Sequence, residues 1–429
     1  MKIFVTTSNH PSKNSAVNIV IKNFVKNLKE NNSVYCIWFL YNQKKNSISK
    51  NSDETIIDIH DYNDAVEVLK ETNPDCILAD NNQYGTIDHA FSIAAKFLKI
   101  PLIYNKTVDF ADVNQKKDSE NKFKTSIKKM FVKNPETNQY VLPFILYKNK
   151  FLFKTKNKMK INLCSNIKTQ IEHIMFNFIG DPKKRFTNLA DLNLVNNEMW
   201  LKKFKEYGID EKKMVVTGNP YWDKYFEIFK KKNLSKEPVM HKPVKILILT
   251  SPLVEHGYWS KKQRHEIISK LIEILSKEKN FLFAFKIHPT SEYLKTYEKF
   301  TKKNSTKIKI YQKESLWDIA DNYDIVISYG FSTIHTEIAI AGYRMVLYNF
   351  DQKFRIMPFV DLASDSGFVK ICNNLEELPL QIHNLVNKKI KFSEKFDNEI
   401  KKFFYKFDGN SGKRVAEAIQ LLLTNYKQK

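Results

Sequence analysis

Short apolar segments alternate with amphipathic segments in two successive runs along this chain, and this alternation restricts the fold more than any other feature. In the first run the apolar segments are KIFVTT (2–7), SVYCIWFL (33–40), CILAD (76–80) and PLIYN (101–105), and residues at helical spacing separate them. The second run begins at KILILT (245–250) and continues through FLFAFKI, KIKIY, DIVISY, RMVLYN and GFVKIC. Because strands that alternate with helices form parallel sheets covered by helices, the sequence predicts an α/β protein with two doubly wound domains.

Breaks in this alternation predict the domain organisation. We expect a first domain over 1–235, a second over 236–400 and a basic C-terminal helix over 401–429. Residues 111–160 interrupt the first run, because aromatic residues and lysines interleave there and no acid follows Glu136. We interpret this stretch as a basic, aromatic-rich helical insertion. It is partly buried in the first domain, an interfacial surface for an anionic membrane or a lipid-linked acceptor, or a nucleic-acid-binding arm.

The charge and the cysteines narrow the class of protein. The chain has 70 Lys and Arg residues and 47 Asp and Glu residues, which gives a net charge of +23. This charge either attracts polyanions or comes from lysines spread over solvated helix faces. No nucleic-acid-binding motif accompanies the charge, so no specific nucleic acid is expected as a partner. The four cysteines are widely spaced, which disfavours a disulfide framework or a zinc site. With no signal peptide and no apolar stretch long enough to span a bilayer, we expect a cytoplasmic protein, peripheral at most at the inner face of the membrane.

Polar residues follow the strands of the second run. KIHPT places Lys286, His288 and Pro289 directly after FLFAFKI, where the proline ends the strand. An imidazole there can donate to a phosphate oxygen or assist departure of a nucleotide phosphate; an exposed turn histidine is the alternative. The loop after KILILT adds Ser251 and His256. Ligands of open parallel sheets bind beyond the carboxyl ends of the strands, so we expect a nucleotide site at this edge.

The loop after DIVISY leads into a predicted helix with the sequence SYGFSTIHTE. Gly330 opens the loop, and Ser332 and Thr333 stand at the predicted helix start, whose backbone N–H groups suit a phosphate. Glu337, one turn later, suits ribose hydroxyls. The alternative is that Ser332 is an ordinary N-cap.

Several common motifs are missing from the sequence. The chain has no P-loop, no GxGxxG, no GxSxG and no HExxH. It also has no Asp-x-Asp that would bridge a diphosphate through a metal, so we expect no metal and no other cofactor.

These features together resemble glycosyltransferases of the GT-B fold, which have two Rossmann-like domains. VTGNPYWD (216–223) is similar to a segment of relatives of UDP-N-acetylglucosamine 2-epimerase, and DGNSGKR (408–414) resembles the start of the closing helix in that superfamily. KIHP with SYGFSTIHTEIAIAG resembles capsule-polysaccharide transferases, which include Kdo and polysialic acid transferases and teichoic acid glycerophosphotransferases.

The resemblance implies a role for each half. The C-terminal half holds the donor nucleotide, with His288 at its phosphate, Ser332 and Thr333 binding phosphate and Glu337 holding the ribose. The His-Pro pattern is typical of enzymes that use CMP- or CDP-activated donors, while a UDP-sugar stays open. The final helix, 401–429, crosses back to the first domain.

The first half is then the acceptor domain, and an inverting transferase needs a general base there. Candidates at predicted strand ends are His10 and Asp80, which are otherwise a loop residue and a turn cap. The sialyltransferase-type base motif is not recognisable in this half.

The leading hypothesis is a metal-independent, inverting GT-B glycosyltransferase of surface polysaccharide synthesis. Its partners would be a nucleotide-sugar donor, a glycan or lipid-linked acceptor and an anionic membrane surface bound through 111–160. Three alternatives stay open: a glycerophosphotransferase, a non-enzymatic polyanion- or membrane-binding module, and a sugar-nucleotide epimerase. The epimerase is disfavoured because TSPLVEHGYW (250–259) stands where that family has a His-Arg-Arg-Glu loop.

Overall fold

The chain folds into two compact units. Unit 1 comprises Met1–Asp223 and Phe404–Lys429, and unit 2 comprises Lys224–Phe403. Their junction therefore lies at Asp223 rather than near residue 235, because the Asp223 carboxylate binds backbone N–H groups of the C-terminal helix within unit 1.

The structure, a computed structural model, describes residues 1–8, 10–12, 16–30, 33–42, 45–79, 85–106, 140–169, 171, 189–206, 208–231, 235–239, 242–255, 258–289, 292–303, 308–330, 332, 334–349, 360, 364, 367–391 and 394–428.

Unit 1 is built on an eight-stranded sheet in the order β3-β4-β2-β1-β5-β6-β7-β8. All neighbouring strands are parallel except β3, which pairs antiparallel with β4 at the edge. The strands are β1 (Lys2–Thr7), β2 (Tyr35–Leu40), β3 (Ser49–Lys50), β4 (Glu54–Asp58), β5 (Cys76–Ala79), β6 (Leu102–Lys106), β7 (Leu192–Val195) and β8 (Met214–Val216). Strands β1, β2 and β5 are almost wholly buried, which explains their continuous apolar sequences.

Helices cover this sheet, and their ends follow local sequence signals. Asp64 caps the second helix by accepting from the Glu67 N–H, and Asn73 ends it in the left-handed conformation. The helices of unit 1 are α1 (Ala16–Lys29), α2 (Ala65–Thr72), α3 (Thr86–Leu98), α4 (Val141–Lys158), α5 (Glu198–Glu206) and, from Asp223, the start of α6 (Asp223–Lys231). The C-terminal part of the chain adds the end of α12 (Glu394–Phe404) and α13 (Ser411–Lys427).

Helix α4 is the described part of the predicted insertion, and its buried face belongs to the core of unit 1. Phe151 and Leu152 are buried there. The Phe151 ring lies 6.1 Å from that of Phe39 and 6.0 Å from that of Phe91. Each such buried side chain contributes roughly 1.5–3 kcal/mol of hydrophobic stabilisation. The insertion is therefore anchored in the core through this helix, and its part before residue 140 lies outside the described residues.

Unit 2 is built on a six-stranded, wholly parallel sheet in the order β12-β11-β10-β13-β14-β15. The strands are β10 (Val244–Leu249), β11 (Phe281–Lys286), β12 (Lys309–Tyr311), β13 (Ile325–Tyr329), β14 (Met345–Tyr348) and β15 (Val369–Cys372), with a separate antiparallel pair of β9 (Ser235–Lys236) and β16 (Ile390–Lys391). The helices are α7 (Lys261–Lys277), α8 (Leu294–Lys303), α9 (Leu316–Ile319), α10 (Ile334–Ile340) and α11 (Leu378–Val386), together with most of α6 and α12.

Both sheets have the doubly wound order, in which the first strand lies inside the sheet and successive strands are added first on one side and then on the other. The predicted fold class, two Rossmann-like α/β domains, is confirmed. In unit 2 the direction of winding reverses between β10 and β13, so the crevice expected of such a sheet lies beyond the carboxyl ends of these two strands.

Candidate functional site

A hydrogen bond joins the loops that follow β10 and β13. Ser251 is buried, and its Oγ donates to the carbonyl oxygen of Tyr329 at 2.9 Å. The only proton of this hydroxyl is thereby committed. Ser251, predicted to bind the donor nucleotide, can accept a hydrogen bond from a ligand hydroxyl there but has no proton left for a phosphate oxygen.

Gly330 turns the chain sharply at the end of β13. Its φ is +79°, a conformation that favours glycine, and a Cβ added to it would lie 3.0 Å from Cδ1 of Leu253. Leu253 itself is buried. The loop after β13 can therefore approach the loop after β10 closely only because residue 330 has no side chain.

The loop that carries His288 is fixed by a buried carboxylate that the sequence analysis did not single out. Glu292 is 2% exposed, and its Oε2 accepts the backbone N–H of His288 at 2.8 Å. The hydroxyls of Thr250 and Tyr297 also donate to this carboxylate. Burial raises the pKa of Glu292, and these three donors oppose the rise. Glu292 thus ties the end of β10, the His288 loop and α8 together.

Lys286 and Pro289 flank the partly buried His288. The Lys286 Nζ donates to the carbonyl oxygens of Ile287 (3.0 Å) and Gln312 (2.9 Å), and burial lowers its pKa. Two of its three protons are committed to the backbone, so this side chain mainly stabilises the loop. Pro289 is exposed, as a turn residue after the strand would be.

Ser332 stands just before the short helix α10 as a weak N-cap. Its Oγ accepts the N–H of Ile334 at 3.4 Å, and its carbonyl oxygen accepts the N–H of His335. His335 is buried with Nε2 2.8 Å from the hydroxyl of Ser328, and burial lowers its pKa to about 4. The histidine of this segment is therefore a neutral core residue. Thr333 and His256 lie outside the described residues.

Glu337 is buried on α10 against an aromatic cluster. Its Oε2 accepts from the Tyr225 hydroxyl at 2.6 Å, and the Tyr225 ring meets that of Trp317 edge to face at 4.8 Å. Lys224 Nζ lies 4.8 Å from the centre of the Tyr225 ring, and burial lowers the pKa of this lysine while Glu337 raises it. The predicted ribose ligand thus has one oxygen bound within the protein.

Of the two candidates for the general base in the first half, the structure describes His10 but not Asp80. His10 is partly exposed, and its Nδ1 accepts the N–H of Ser12 at 3.2 Å and lies 2.7 Å from the Ser12 hydroxyl. These contacts make a local turn, and the role of His10 as a base stays a prediction. Asp80 lies outside the described residues.

The two segments that carry the resemblance to the epimerase superfamily meet within unit 1. The carboxylate of Asp223 accepts the backbone N–H groups of Ser411 (3.1 Å) and Gly412 (2.8 Å) at the start of α13. Arg414 Nε donates to the carbonyl oxygen of Thr217 at 2.7 Å, and its Nη1 lies 2.9 Å from both carboxylate oxygens of Asp408. These segments join α13 to the end of the first sheet.

The described part of the chain contains neither a candidate metal cluster nor a helix that could span a membrane. Its His, Cys, Asp and Glu residues form no group of three or more that could hold a metal ion. None of its helices combines the length and the apolarity needed to cross a membrane. Metal independence and membrane association stay predictions.

Sites missed by sequence reasoning share one property. Glu292 and Tyr225 each form a hydrogen bond with a residue far away in the sequence. Glu292 binds Thr250 and Tyr225 binds Glu337, and these pairs meet only in the folded protein. The only local signal for Glu292 was an acid in an otherwise neutral turn, HPTSE, close behind His288.

Comparison with solved structures supports the fold. UDP-GlcNAc 2-epimerase from Methanocaldococcus jannaschii is 15% identical, with a TM-score of 0.55 over 98% of this chain and 100% of that one. The epimerase from Neisseria meningitidis, solved with UDP-GlcNAc, is 14% identical, with a TM-score of 0.50 over 98% and 100%. At this identity the likeness concerns the fold alone. No curated protein matches the chain.

A family model gives the stronger comparison. The model of CDP-glycerol:poly(glycerophosphate) glycerophosphotransferase matches residues 166–421, which include the whole of unit 2. The resemblance to GT-B transferases related to the epimerase superfamily is confirmed. Because the match extends over more than half of the chain, the protein is a transferase that belongs to the CDP-glycerol:poly(glycerophosphate) glycerophosphotransferase family.

Proposed function

We propose that the protein transfers a group from a cytidine-nucleotide-activated donor to a glycan or lipid-linked acceptor of a surface polymer. The observation that carries this proposal is the family match, because it covers all of unit 2 and with it the crevice beyond β10 and β13. The donor's nucleotide would bind there, near His288 and Ser332. A uridine donor is the competing possibility for the nucleotide.

The transferred group is proposed to be a sugar. The acceptor hydroxyl would attack the anomeric carbon, the bond from that carbon to the nucleotide phosphate would break, and the nucleotide would leave with the electron pair. The acceptor's proton would pass to a general base of the first half, for which His10 is a described candidate. His288 would contact the leaving phosphate and stabilise its developing charge.

A second candidate is glycerophosphoryl transfer, which the family's description favours. Here the acceptor hydroxyl would attack the phosphorus that bears the glycerol. The phosphoanhydride bond to the other phosphate would break, and CMP would leave. Both reactions would require a nucleotide site in unit 2 and a general base for the acceptor hydroxyl. The fold therefore does not favour one reaction over the other.

An anionic membrane is the proposed location of the acceptor. Between residues 140 and 171 the chain has seven lysines and no acid. In the helical segment 163–169 and just beyond it, Leu163, Ile167 and Ile171 are exposed by 59%, 47% and 56% at a spacing of four residues, which forms one apolar stripe. An apolar stripe flanked by lysines suits the surface of an anionic bilayer.

The test of function is an acceptor-dependent transfer assay. The protein would be incubated with CDP-glycerol or a CMP-sugar and a polymer or lipid-linked acceptor, and the released nucleotide and the new bond would be analysed. A new linkage that contains phosphorus and is cleaved by hydrofluoric acid as a phosphodiester identifies glycerophosphoryl transfer, and a new glycosidic bond without phosphorus identifies sugar transfer. Turnover of UDP-GlcNAc without any acceptor would contradict both.

The membrane proposal has its own test. Replacing Ile167 with Asp should abolish co-sedimentation with vesicles that contain anionic lipid, because a charge would enter the apolar stripe. The matched control is Leu421→Asp on α13, which is 64% exposed and lies outside the stripe. Equal loss in both variants, or binding to neutral vesicles alone, would contradict the proposal.

A further inference from the structure

A histidine and an aspartate form a close pair at the carboxyl end of β4 in unit 1. His60 Nδ1 lies 2.6 Å from Oδ1 of Asp58, and the His60 backbone N–H donates to the same oxygen at 3.0 Å. The other oxygen, Oδ2, accepts two N–H groups of Asn46, both at 2.8 Å. Asp58 is 1% exposed, while about a quarter of the His60 side chain is exposed. The aspartate is thus a buried support, and the imidazole is the part that a solute can reach.

These contacts fix the tautomer of His60. Four hydrogen bonds hold the pKa of Asp58 below its usual value despite burial, so the carboxylate is ionised and can only accept. The proton between the two side chains therefore sits on Nδ1. In the neutral imidazole the lone pair is then on Nε2, which has no hydrogen-bond partner among the described residues. This nitrogen can accept a hydroxyl proton or, when protonated, bind an anion.

His60 lines an open cavity of about 220 Å³. Its ring stacks on that of Tyr147 at 5.2 Å and 16°, and the Tyr147 hydroxyl is anchored on the carbonyl oxygen of Ile59. Typical sites for drug-sized ligands measure about 300–1,000 Å³, so this cavity suits one small unit rather than a whole nucleotide.

The charge of the cavity is set by α4. Lys150 and Lys154 lie on its wall one turn apart, and Lys154 is held at 2.7 Å by the side chain of Asn63. The acid on the wall, Asp61, is paired with Lys45. The cavity therefore combines an oriented imidazole, an aromatic face and two ammonium groups, which are the complements of a hydroxyl, a carbon skeleton and a phosphate.

We propose that the cavity formed by His60, Tyr147, Lys150 and Lys154 is a binding subsite for a phosphate-bearing polyol or sugar unit of the acceptor chain. The unit's hydroxyl donates to Nε2 of His60, and its phosphate binds Lys150 and Lys154. The identity of the ligand rests on the proposed function, since an acceptor polymer supplies such units. The chemistry of the cavity stands independently of it.

The experiment is a titration of the full-length, ¹⁵N-labelled protein with sn-glycerol 3-phosphate, followed by the imidazole resonances, which the His60→Gln variant assigns. A saturable shift at His60 is expected. Lys150→Ala should weaken binding about fivefold, the scale of one lost exposed charge contact. Lys158→Ala removes the same charge from an exposed position in the last turn of α4, outside the cavity, and should leave binding unchanged.

Three results would overturn the proposal. The first is no saturable shift in the wild-type protein, and the second is equal weakening by Lys150→Ala and Lys158→Ala. The third is a response to phosphatidylglycerol vesicles without one to free glycerol phosphate, which would identify a lipid headgroup instead. Cytidine nucleotide binding, measured on the same samples, separates this test from that of the function. If the nucleotide binds and glycerol phosphate does not, only the subsite is refuted; in the converse case only the donor assignment is refuted.

Discussion

The backbone N–H of His288 donates to the buried carboxylate of Glu292 at 2.8 Å, so an internal acid fixes the loop that brings the histidine to the edge of the second sheet. Thr250 and Tyr297 donate to the same carboxylate. A carboxylate that accepts three hydrogen bonds inside the protein is a positioning group and has little capacity left for a ligand.

Replacing Glu292 with Ala should therefore reduce transfer at least about tenfold and destabilise unit 2 by several kcal/mol, because three buried donors lose their acceptor and each costs roughly 1–3 kcal/mol when unpaired. Glu292→Gln keeps an acceptor oxygen and should recover much of kcat. The measurement is kcat and KM together with urea denaturation, and Glu314→Gln, at an exposed loop position, is the control. An unchanged kcat in Glu292→Ala would contradict the proposal that Glu292 positions the His288 loop.

His335 makes stability depend on pH in a defined direction. Burial lowers its pKa from 6.5 to about 4, so the folded state resists the proton that the unfolded state accepts. Its contribution is fully present above pH 6.5 and is lost as the pH falls towards 4, by about 3 kcal/mol at most.

The His335→Gln variant should flatten the fall in unfolding free energy across this pH window, since glutamine does not titrate. His265→Gln, at an exposed position on α7, should leave the fall unchanged. Urea denaturation at several pH values measures both. A His335→Gln profile that still parallels the wild type would show that another group is responsible.

Gly330 and Gly367 allow a matched comparison at the candidate site. Both have positive φ, +79° and +88°, so alanine strains the backbone at each position by roughly 1–2 kcal/mol. Only at residue 330 does the new Cβ also approach Leu253, at 3.0 Å. Gly330→Ala should therefore be the more destabilising by about 1 kcal/mol and should alone weaken nucleotide binding. Identical losses in thermal unfolding and in nucleotide titration would refute the close approach of the two loops.

Gly412 lies at the start of α13, where the side chains of Asn23 and Asn27 pack against it. A Cβ there would come within 2.0 Å of Asn23 Oδ1 and 3.0 Å of Asn27 Nδ2. Gly412→Ala should destabilise unit 1 by roughly 1–3 kcal/mol, in the range of overpacking. In an Asn23→Ala background the same substitution should cost less, and a double-mutant cycle measures the difference. Strict additivity would mean that these two residues do not press on each other.

Local sequence signals were sufficient to predict the two sheets and the placement of His288 at a strand end. They were insufficient for the chemistry around that histidine, because the partners of Glu292 come from the loop after β10 and from α8 and are brought together only by folding. Lys286 shows the same limit, and its role at the nucleotide stays a prediction. A lysine beside a predicted phosphate site suggests a ligand contact, yet its ammonium is largely occupied by the carbonyl oxygens of Ile287 and Gln312.

The insertion shows a further limit of periodicity. Aromatic residues and lysines alternate in α4 without a clear polar face, so the sequence could not distinguish a buried helix from an interfacial one. The structure places Phe151 in the core and leaves Leu146 54% exposed, and an interfacial role for the exposed residues stays a prediction. Asp58 and His60 gave no signal at all, because a carboxylate two residues before a histidine is common in turns.

We propose that the crevice beyond β10 and β13 binds the nucleotide of a cytidine-activated donor. The most direct test is calorimetric titration of CMP, CDP, UDP, GDP and ADP into the wild-type protein and into His288→Ala, with denaturation controls for folding. We predict that a cytidine nucleotide binds the wild type in preference to the others and that His288→Ala, still folded, loses most of that affinity. Preference for a uridine nucleotide, or cytidine binding unaffected by His288→Ala, would contradict it.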